Sequence, residues 1–127
     1  PCGGRCVYAI DPEFSPDSHS IAYSRSVGPF VPKGEPRKTP VWKLYSAIFL
    51  VGLYGKNSHH VSSTPKPSKG QPGAFDTHTP AFSPNGRHLA FSSSRAGKYQ
   101  IFTIDRTGEN VRQITRTGDN RFPNWSN

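Results

Sequence analysis

Two stretches of this sequence are copies of each other and decide the fold. Pro80-Ala-Phe-Ser-Pro-Asn-Gly-Arg-His-Leu-Ala-Phe-Ser92 repeats Pro12-Glu-Phe-Ser-Pro-Asp-Ser-His-Ser-Ile-Ala-Tyr-Ser24, with the numbering shifted by 68. The proline, the Phe-Ser-Pro core, one alanine and the last serine are identical, and three further pairs are conservative. The chain is therefore built from an internal repeat, and a repeat constrains the fold more strongly than any single element.

A second match follows at a different offset. Residues 48–57 align with residues 101–110, a shift of 53 in the numbering, and the similarity continues at Val61-Ser62 and Ile114-Thr115. The two shifts differ by 15, so the first copy carries an insertion of that size between Ser24 and Ala47. The inserted segment is rich in proline and glycine, which is typical of a loop.

A third copy begins at Phe122-Pro-Asn-Trp-Ser126, which repeats Thr79-Pro-Ala-Phe-Ser83 with a shift of 43 in the numbering. This spacing fits four short strands joined by tight turns and lies within the period of β-propeller blades. Asn85-Gly86 predicts a turn before a strand at 89–92, residues 99–104 alternate as a strand, residues 105–108 predict the next turn, and residues 111–115 the outer strand. We predict an all-β chain of two four-stranded antiparallel meanders and the start of a third.

The predicted organisation follows from these repeats. Residues 1–10 form an N-terminal segment that could end a preceding blade, and residues 11–79 form the first blade, with its loop insertion near 25–46. Residues 80–122 form the second blade and residues 123–127 start a third. Two blades cannot close a ring, because propellers typically have 4 to 8. We therefore favour a fragment of a larger propeller over a chain that assembles with further copies or with a partner.

The repeat resembles the WD-like propeller repeat of the TolB family. The resemblance rests on the Phe-Ser-Pro core, on residues 100–108, on Val111-Arg-Gln-Ile-Thr115 and on residues 118–126. Similar blades occur in prolyl-oligopeptidase-type peptidases and in the tricorn protease. The first copy departs from the pattern, because Asp17-Ser18 replaces the usual Asp-Gly turn and Gly52 stands at the position of Asp105.

The resemblance implies two functions of different classes. One is a non-enzymatic scaffold that binds other proteins, as TolB does in the bacterial envelope between the lipoprotein Pal and the Tol proteins of the inner membrane. The other is an accessory propeller that gates substrate for a larger hydrolase or lyase. Because one fold hosts many functions, the choice depends on a site. Localisation stays open from the sequence and would be periplasmic for a bacterial TolB relative.

Composition excludes some classes of protein. The formal net charge of +8 would attract acidic surfaces, but the charges are spread along the chain and no nucleic-acid motif accompanies them, so nucleic acid is not an expected partner. The longest apolar run, near residues 47–54, is far shorter than the roughly 20 residues of a membrane span. The opening residues offer no secretory signal, and the absence of methionine fits a mature product or a fragment.

Catalytic and metal sites are not expected. The sequence has no Gly-x-Ser-x-Gly elbow, and Ser15 and Ser83 belong to the repeat's own turn, where their hydroxyls bond local backbone. A structural zinc site needs four ligands, and the five histidines stand at no recognisable spacing that would complete one with Cys2 and Cys6. The two cysteines could be free or form a local disulfide.

Acidic residues precede the prolines of successive blades at matching places. Asp76 and Asp119 each lie four residues before such a proline. They could bind calcium, but we favour a role in which their side chains cap the turn between blades. We therefore expect no cofactor.

The remaining candidates for a functional site are side chains on the surface of the blade. The insertion carries Lys33, Arg37 and Lys38 between prolines, and a rigid blade that presents such a loop is a common arrangement for recognition. The outer region of the first blade adds His59 and His60, whose side chains should point to opposite faces of a strand. We predict these five residues as an interaction surface for a protein partner.

Overall fold

The computed structural model describes residues 9–27, 45–62 and 76–126, which form two sheets of four strands each. Every pairing is antiparallel and joins strands that are consecutive in the chain, so each sheet is a meander. This confirms the predicted fold class. In the described ranges no helix is long and apolar enough to cross a membrane. Blade 1 consists of β1 Ala9–Phe14, β2 Ser20–Val27, β3 Tyr45–Gly52 and β4 His59–His60, and blade 2 of β5 Thr77–Phe82, β6 His88–Ala96, β7 Lys98–Asp105 and β8 Arg112–Gln113.

The register of the strands reproduces the two offsets of the sequence repeat. Phe14 pairs with Ile21 between β1 and β2, and the pair that the first offset predicts, Phe82 with Leu89, joins β5 to β6. The second offset holds for the outer strands, where the Phe49–His60 and Phe102–Gln113 pairs correspond. The change of offset falls between β2 and β3, where residues 28–44, including most of the predicted insertion, lie outside the described ranges.

A bulge interrupts the first strand of each blade at the same place. Asp11 and Thr79 have φ angles of 54° and 53°, and the register shifts beside each of them. Phe122 repeats this conformation with a φ of 57°. Each of the three precedes a proline, and prolines within sheets are confined to edges, strand starts and bulges. Because the strand continues through the bulge, β5 begins at Thr77, three residues before the predicted limit of the second blade.

The turn after the bulged strand is held by its serine. Ser83 Oγ accepts a hydrogen bond from the backbone N–H of His88 at 3.0 Å and donates to Asn85 Oδ1 at 2.7 Å. Ser15 makes the equivalent bonds in blade 1, which confirms that both hydroxyls serve their turns. Of the Asn85-Gly86 pair in the blade 2 turn, only Gly86 has a positive φ angle, of 71°. The equivalent residue of the blade 1 turn is Ser18, whose φ angle is 60°.

The outer strands are shorter than predicted. We expected a strand over residues 111–115, but only Arg112–Gln113 pair with β7. Beyond this pair a side chain replaces the backbone acceptor that a longer β8 would supply. The backbone N–H of Ile101 donates to Thr115 Oγ1 at 2.8 Å. In blade 1 the N–H of Ile48 donates to Ser62 Oγ at 2.9 Å in the same way. The predicted alternation of β7 is confirmed, since Gln100, Phe102 and Ile104 are buried.

Candidate interaction surface

The two blades pack against each other through one apolar cluster. Leu50 and Val61 of blade 1 and Phe82 and Phe91 of blade 2 belong to it, and each is nearly or fully buried. At the edge of this junction a Cβ atom added to Gly108 would lie 2.8 Å from the carbonyl oxygen of Val61. The sheets therefore meet so closely at this point that only glycine fits. The whole cluster comprises Ala22, Ile48, Leu50, Val61, Phe82, Leu89, Phe91, Phe102 and Ile104.

Polar contacts reinforce the junction. The backbone N–H of Thr79, left free by its bulge, donates to Asp11 Oδ2 of blade 1 at 3.3 Å. Arg106 reaches across from blade 2 and donates to Ser20 Oγ at 2.6 Å, while its guanidinium lies 5.5 Å from the centre of the Phe82 ring. An arginine that spans two sheets in this way contributes both packing and charge.

A serine, a histidine and an aspartate meet at the junction in an order that resembles a hydrolase triad. Ser46 Oγ lies 3.4 Å from His78 Nε2, and His78 Nδ1 lies 3.9 Å from Asp11 Oδ2. The second distance exceeds a hydrogen bond. Ser46 is 0% exposed, and its Oγ accepts the backbone N–H of Thr77 at 2.8 Å. A hydroxyl buried in this way does not reach a substrate, so the three side chains serve the contact between the blades.

The predicted turn-capping role is wrong for Asp119 and stays a prediction for Asp76, because the residues before Asp76 lie outside the described ranges. Asp76 accepts hydrogen bonds from Ser46 Oγ at 3.4 Å and from the Tyr99 hydroxyl at 3.3 Å. Asp119 accepts two bonds from Arg121, each at 3.1 Å, and Arg121 lies over the Tyr99 ring. In the described residues, Asp76 thus binds side chains of β3 and β7, and Asp119 binds the side chain of Arg121, two residues further along the chain. In the described part of the chain, no group of three or more His, Cys, Asp or Glu side chains is arranged to hold a metal ion.

Blade 1 has a face that the structure leaves open. Phe14 on this face is 62% exposed, whereas its counterpart Phe82 is 6% exposed beneath blade 1. Tyr23 and Phe49 stack across β2 and β3 with ring centres 5.9 Å apart, and Arg25 lies over Phe49. The equivalent rings of blade 2 are buried in the junction. The open face of blade 1 therefore has the chemistry of a surface made to receive a neighbouring blade.

The predicted interaction residues fall into two groups. Lys33, Arg37 and Lys38 lie outside the described residues. His59 and His60 form β4 and are exposed. His60 stacks on Phe49 with ring centres 5.0 Å apart, and this partial burial lowers the pKa of His60. His59 instead lies 3.0 Å from the carbonyl oxygen of Asn57 through its Nδ1 atom. His60 thus joins the open face, while His59 stays at the outer edge.

Two equivalent turns differ in their side chains. In blade 2, Asp105 accepts a hydrogen bond from Asn110 Nδ2 at 2.6 Å and lies 3.0 Å from His88 Nδ1. The bond from Asn110, followed by that with His88, lowers the pKa of Asp105. In blade 1 the equivalent turn has Gly52 at the Asp105 position and exposes Leu53 and Tyr54. The repeat alone pairs Gly52 with Asp105, but the two apolar side chains beside Gly52 were not predicted as part of a site.

Acidification should weaken the turn of blade 2. A carboxylate whose pKa is lower in the folded protein stabilises the fold above its unfolded pKa, near 3.8 for Asp105, and loses that contribution as pH falls through the folded value. Between about pH 5 and pH 2 the melting temperature of the unmodified chain should therefore fall more steeply than that of an Asp105→Asn variant. Thr107→Ser, an exposed and uncharged change in the same turn, is the control and should keep the original slope. Equal slopes for Asp105→Asn and the unmodified chain, measured by thermal melts, would contradict this account of the turn.

The geometry defines the class of protein. The equal registers, repeated bulges and face-to-face packing are those of two consecutive β-propeller blades, followed by a segment that begins to repeat the pattern. At the end of that segment Trp125 Nε1 donates to the carbonyl oxygen of Ala81 at 2.9 Å, so Trp125 lies against β5.

Comparisons with known proteins make the type of blade more specific. No family model matches the chain. Over 54 residues it is 44% identical to the Tol-Pal system protein TolB of Rickettsia prowazekii, and 48% identical to that of Rickettsia rickettsii strain Sheila Smith. The blades are TolB-like. Each match covers 38% of this chain but 12% of the relative, so the chain corresponds to a small part of those proteins.

Solved structures show the same fold. TolB from Acinetobacter baumannii matches with a TM-score of 0.54 and 22% identity, over 86% of this chain and 21% of that one. The AtxE2 isopeptidase matches with a TM-score of 0.61 and 16% identity, over 94% of this chain and 20% of that one. At these identities the likeness concerns the propeller fold alone.

Proposed function

We propose that this chain is part of a non-catalytic, TolB-like propeller that binds another protein in a Tol-Pal-type system of the bacterial periplasm. The observation that carries the proposal is the position of Ser46, His78 and Asp11. In the described residues, the arrangement closest to a catalytic set has its serine hydroxyl fully buried between the blades, while its histidine and aspartate side chains are 20% and 33% exposed. Recognition by a rigid surface is then the function that the remaining chemistry supports best.

The surface chemistry supports a protein partner. Outside the open face, Leu53 is 43% and Tyr54 89% exposed, and aromatic side chains are enriched where proteins bind proteins. The net charge of +8 favours an acidic partner and speeds its approach. The relatives are Tol-Pal system proteins by name, which supports Pal as the partner to be tested first.

Titration of the chain against the immobilised soluble domain of Pal from Rickettsia prowazekii tests the proposal. We expect saturable binding that weakens as the salt concentration is raised from about 50 mM to about 300 mM, because screening shortens the reach of the charges. The same preparation should hydrolyse p-nitrophenyl acetate no faster than a Ser46→Ala variant. Lack of binding to Pal, or hydrolysis that depends on Ser46, would overturn the proposal.

A further inference from the structure

The turns that follow β3 and β7 share one backbone conformation. Gly55 and Gly108 occupy equivalent places with φ angles of 72° and 93°, and Asn57 and Asn110 have φ angles of 58° and 56°. In both turns the residue that ends the strand donates its N–H to a carbonyl oxygen four residues on, at 2.9 Å. Any difference between the two turns therefore lies in their side chains and is not required by the backbone.

The side chains differ in polarity and in charge. Leu53 of blade 1 stands where blade 2 has Arg106, and Tyr54 stands where blade 2 has Thr107. Tyr54 is 89% exposed and Leu53 is 43% exposed. The only charged residue in the blade 1 turn is Lys56, whereas the blade 2 turn is net negative through its two acidic residues. Blade 2 shows that the turn forms without any apolar side chain, so Leu53 and Tyr54 are not needed for folding.

A neighbouring blade does not account for Tyr54. Blade 2 has blade 1 beside it, and Thr107, the counterpart of Tyr54, is exposed all the same. A further blade packed on the open face of blade 1 by the same geometry would cover Phe14, as Phe82 is covered, and would leave Tyr54 in solvent. An exposed aromatic ring at a rigid turn thus remains on the surface of a longer propeller, where such rings serve as binding anchors.

We infer that the turn of residues 52–58 is the contact site for the protein partner, with Tyr54 as its anchor; this rests on the proposed function. The partner has an apolar pocket bordered by carboxylates. The ring of Tyr54 fills the pocket. Lys56 is exposed beside Tyr54 and forms an ion pair with the carboxylates that border the pocket. The backbone of His19, which accepts the N–H of Leu53 at 3.2 Å, ties the turn to blade 1 and limits the entropy lost on binding.

A turn exchange tests this inference with the soluble Pal domain as the probe. The double variant Leu53→Arg, Tyr54→Thr gives blade 1 the residues that blade 2 already carries at these positions, so it should fold and melt like the unmodified chain. We expect at least about a tenfold loss of affinity for Pal, and a smaller loss for Lys56→Glu that disappears at high salt. Thr107→Ser, at the equivalent place in blade 2, is the control and should bind normally.

The outcomes separate the two proposals. If the unmodified chain binds Pal and the exchanged turn binds equally well, the contact lies elsewhere and the inference fails while the proposed function stands. If the unmodified chain does not bind Pal, the proposed function fails, and the inference that rests on it fails with it.

Discussion

Gly108→Ala is expected to lower the free energy of unfolding by about 3 kcal/mol. The added Cβ atom would lie 2.8 Å from the carbonyl oxygen of Val61, so the blades would have to move apart. The φ angle of 93° adds backbone strain for any residue with a side chain. Urea unfolding followed by circular dichroism measures the loss.

Gly55→Ala is the matched control for this variant. Gly55 occupies the same place in the turn of blade 1 and its φ angle of 72° is also positive. No atom of the described residues lies within 4 Å of the position that a Cβ atom would take there. It should therefore cost only the backbone strain, about 1 kcal/mol. Equal losses for the two variants would show that the tight contact between the blades does not exist in solution.

Phe82→Ala is expected to cost about 3–5 kcal/mol, the usual penalty for removing a buried phenylalanine ring. Phe82 is 6% exposed, belongs to the apolar cluster and lies beneath the guanidinium of Arg106. The variant would leave a cavity between the blades and remove the surface on which Arg106 rests. The measurement is again equilibrium unfolding in urea.

Phe14→Ala removes the same ring from the equivalent position of blade 1. Because Phe14 is 62% exposed, we expect a loss below about 1 kcal/mol. A large penalty at Phe14, or a small one at Phe82, would mean that the buried face and the open face have been assigned the wrong way round.

The pairing of the strands could be predicted from the sequence because the repeat fixes it. Two copies that fold alike must pair alike, so the two offsets of the repeat appear directly in the pairs Phe82–Leu89 and Phe102–Gln113. The turns at Ser15 and Ser83 could also be predicted from the sequence, because their hydrogen bonds join residues that are close together in the chain.

Other features depended on contacts that a single sequence does not display. The early start of β5 and the short β8 come from a bulge at Thr79 and from the hydroxyl of Thr115, which takes a ladder position. The recurring prolines were a signal for the bulge, because proline inside a strand calls for one. Nothing in the sequence placed Ser46 beside His78, since the two residues come from different blades.

The candidate site was predicted only in part. His60 was predicted as an interaction residue and is stacked on Phe49 on the open face of blade 1, and its role in binding stays a prediction. Tyr54 was not predicted as a site residue. The alignment of the two copies nevertheless pairs it with Thr107, so blade 1 has an aromatic residue where blade 2 has a polar one. Comparing the exposed positions of a repeat, and not only its shared ones, would have found it.

The central claim is that the two blades pack face to face with Val61 against Gly108. Proton NMR tests it most directly through the nuclear Overhauser effects of the Gly108 α-protons. The structure predicts a cross-peak to the α-proton of Val61, whose Cα atom lies 3.9 Å from the position of a Cβ atom added to Gly108. Cross-peaks from Gly108 to its own sheet alone, with none to Val61, would contradict the packing of the blades.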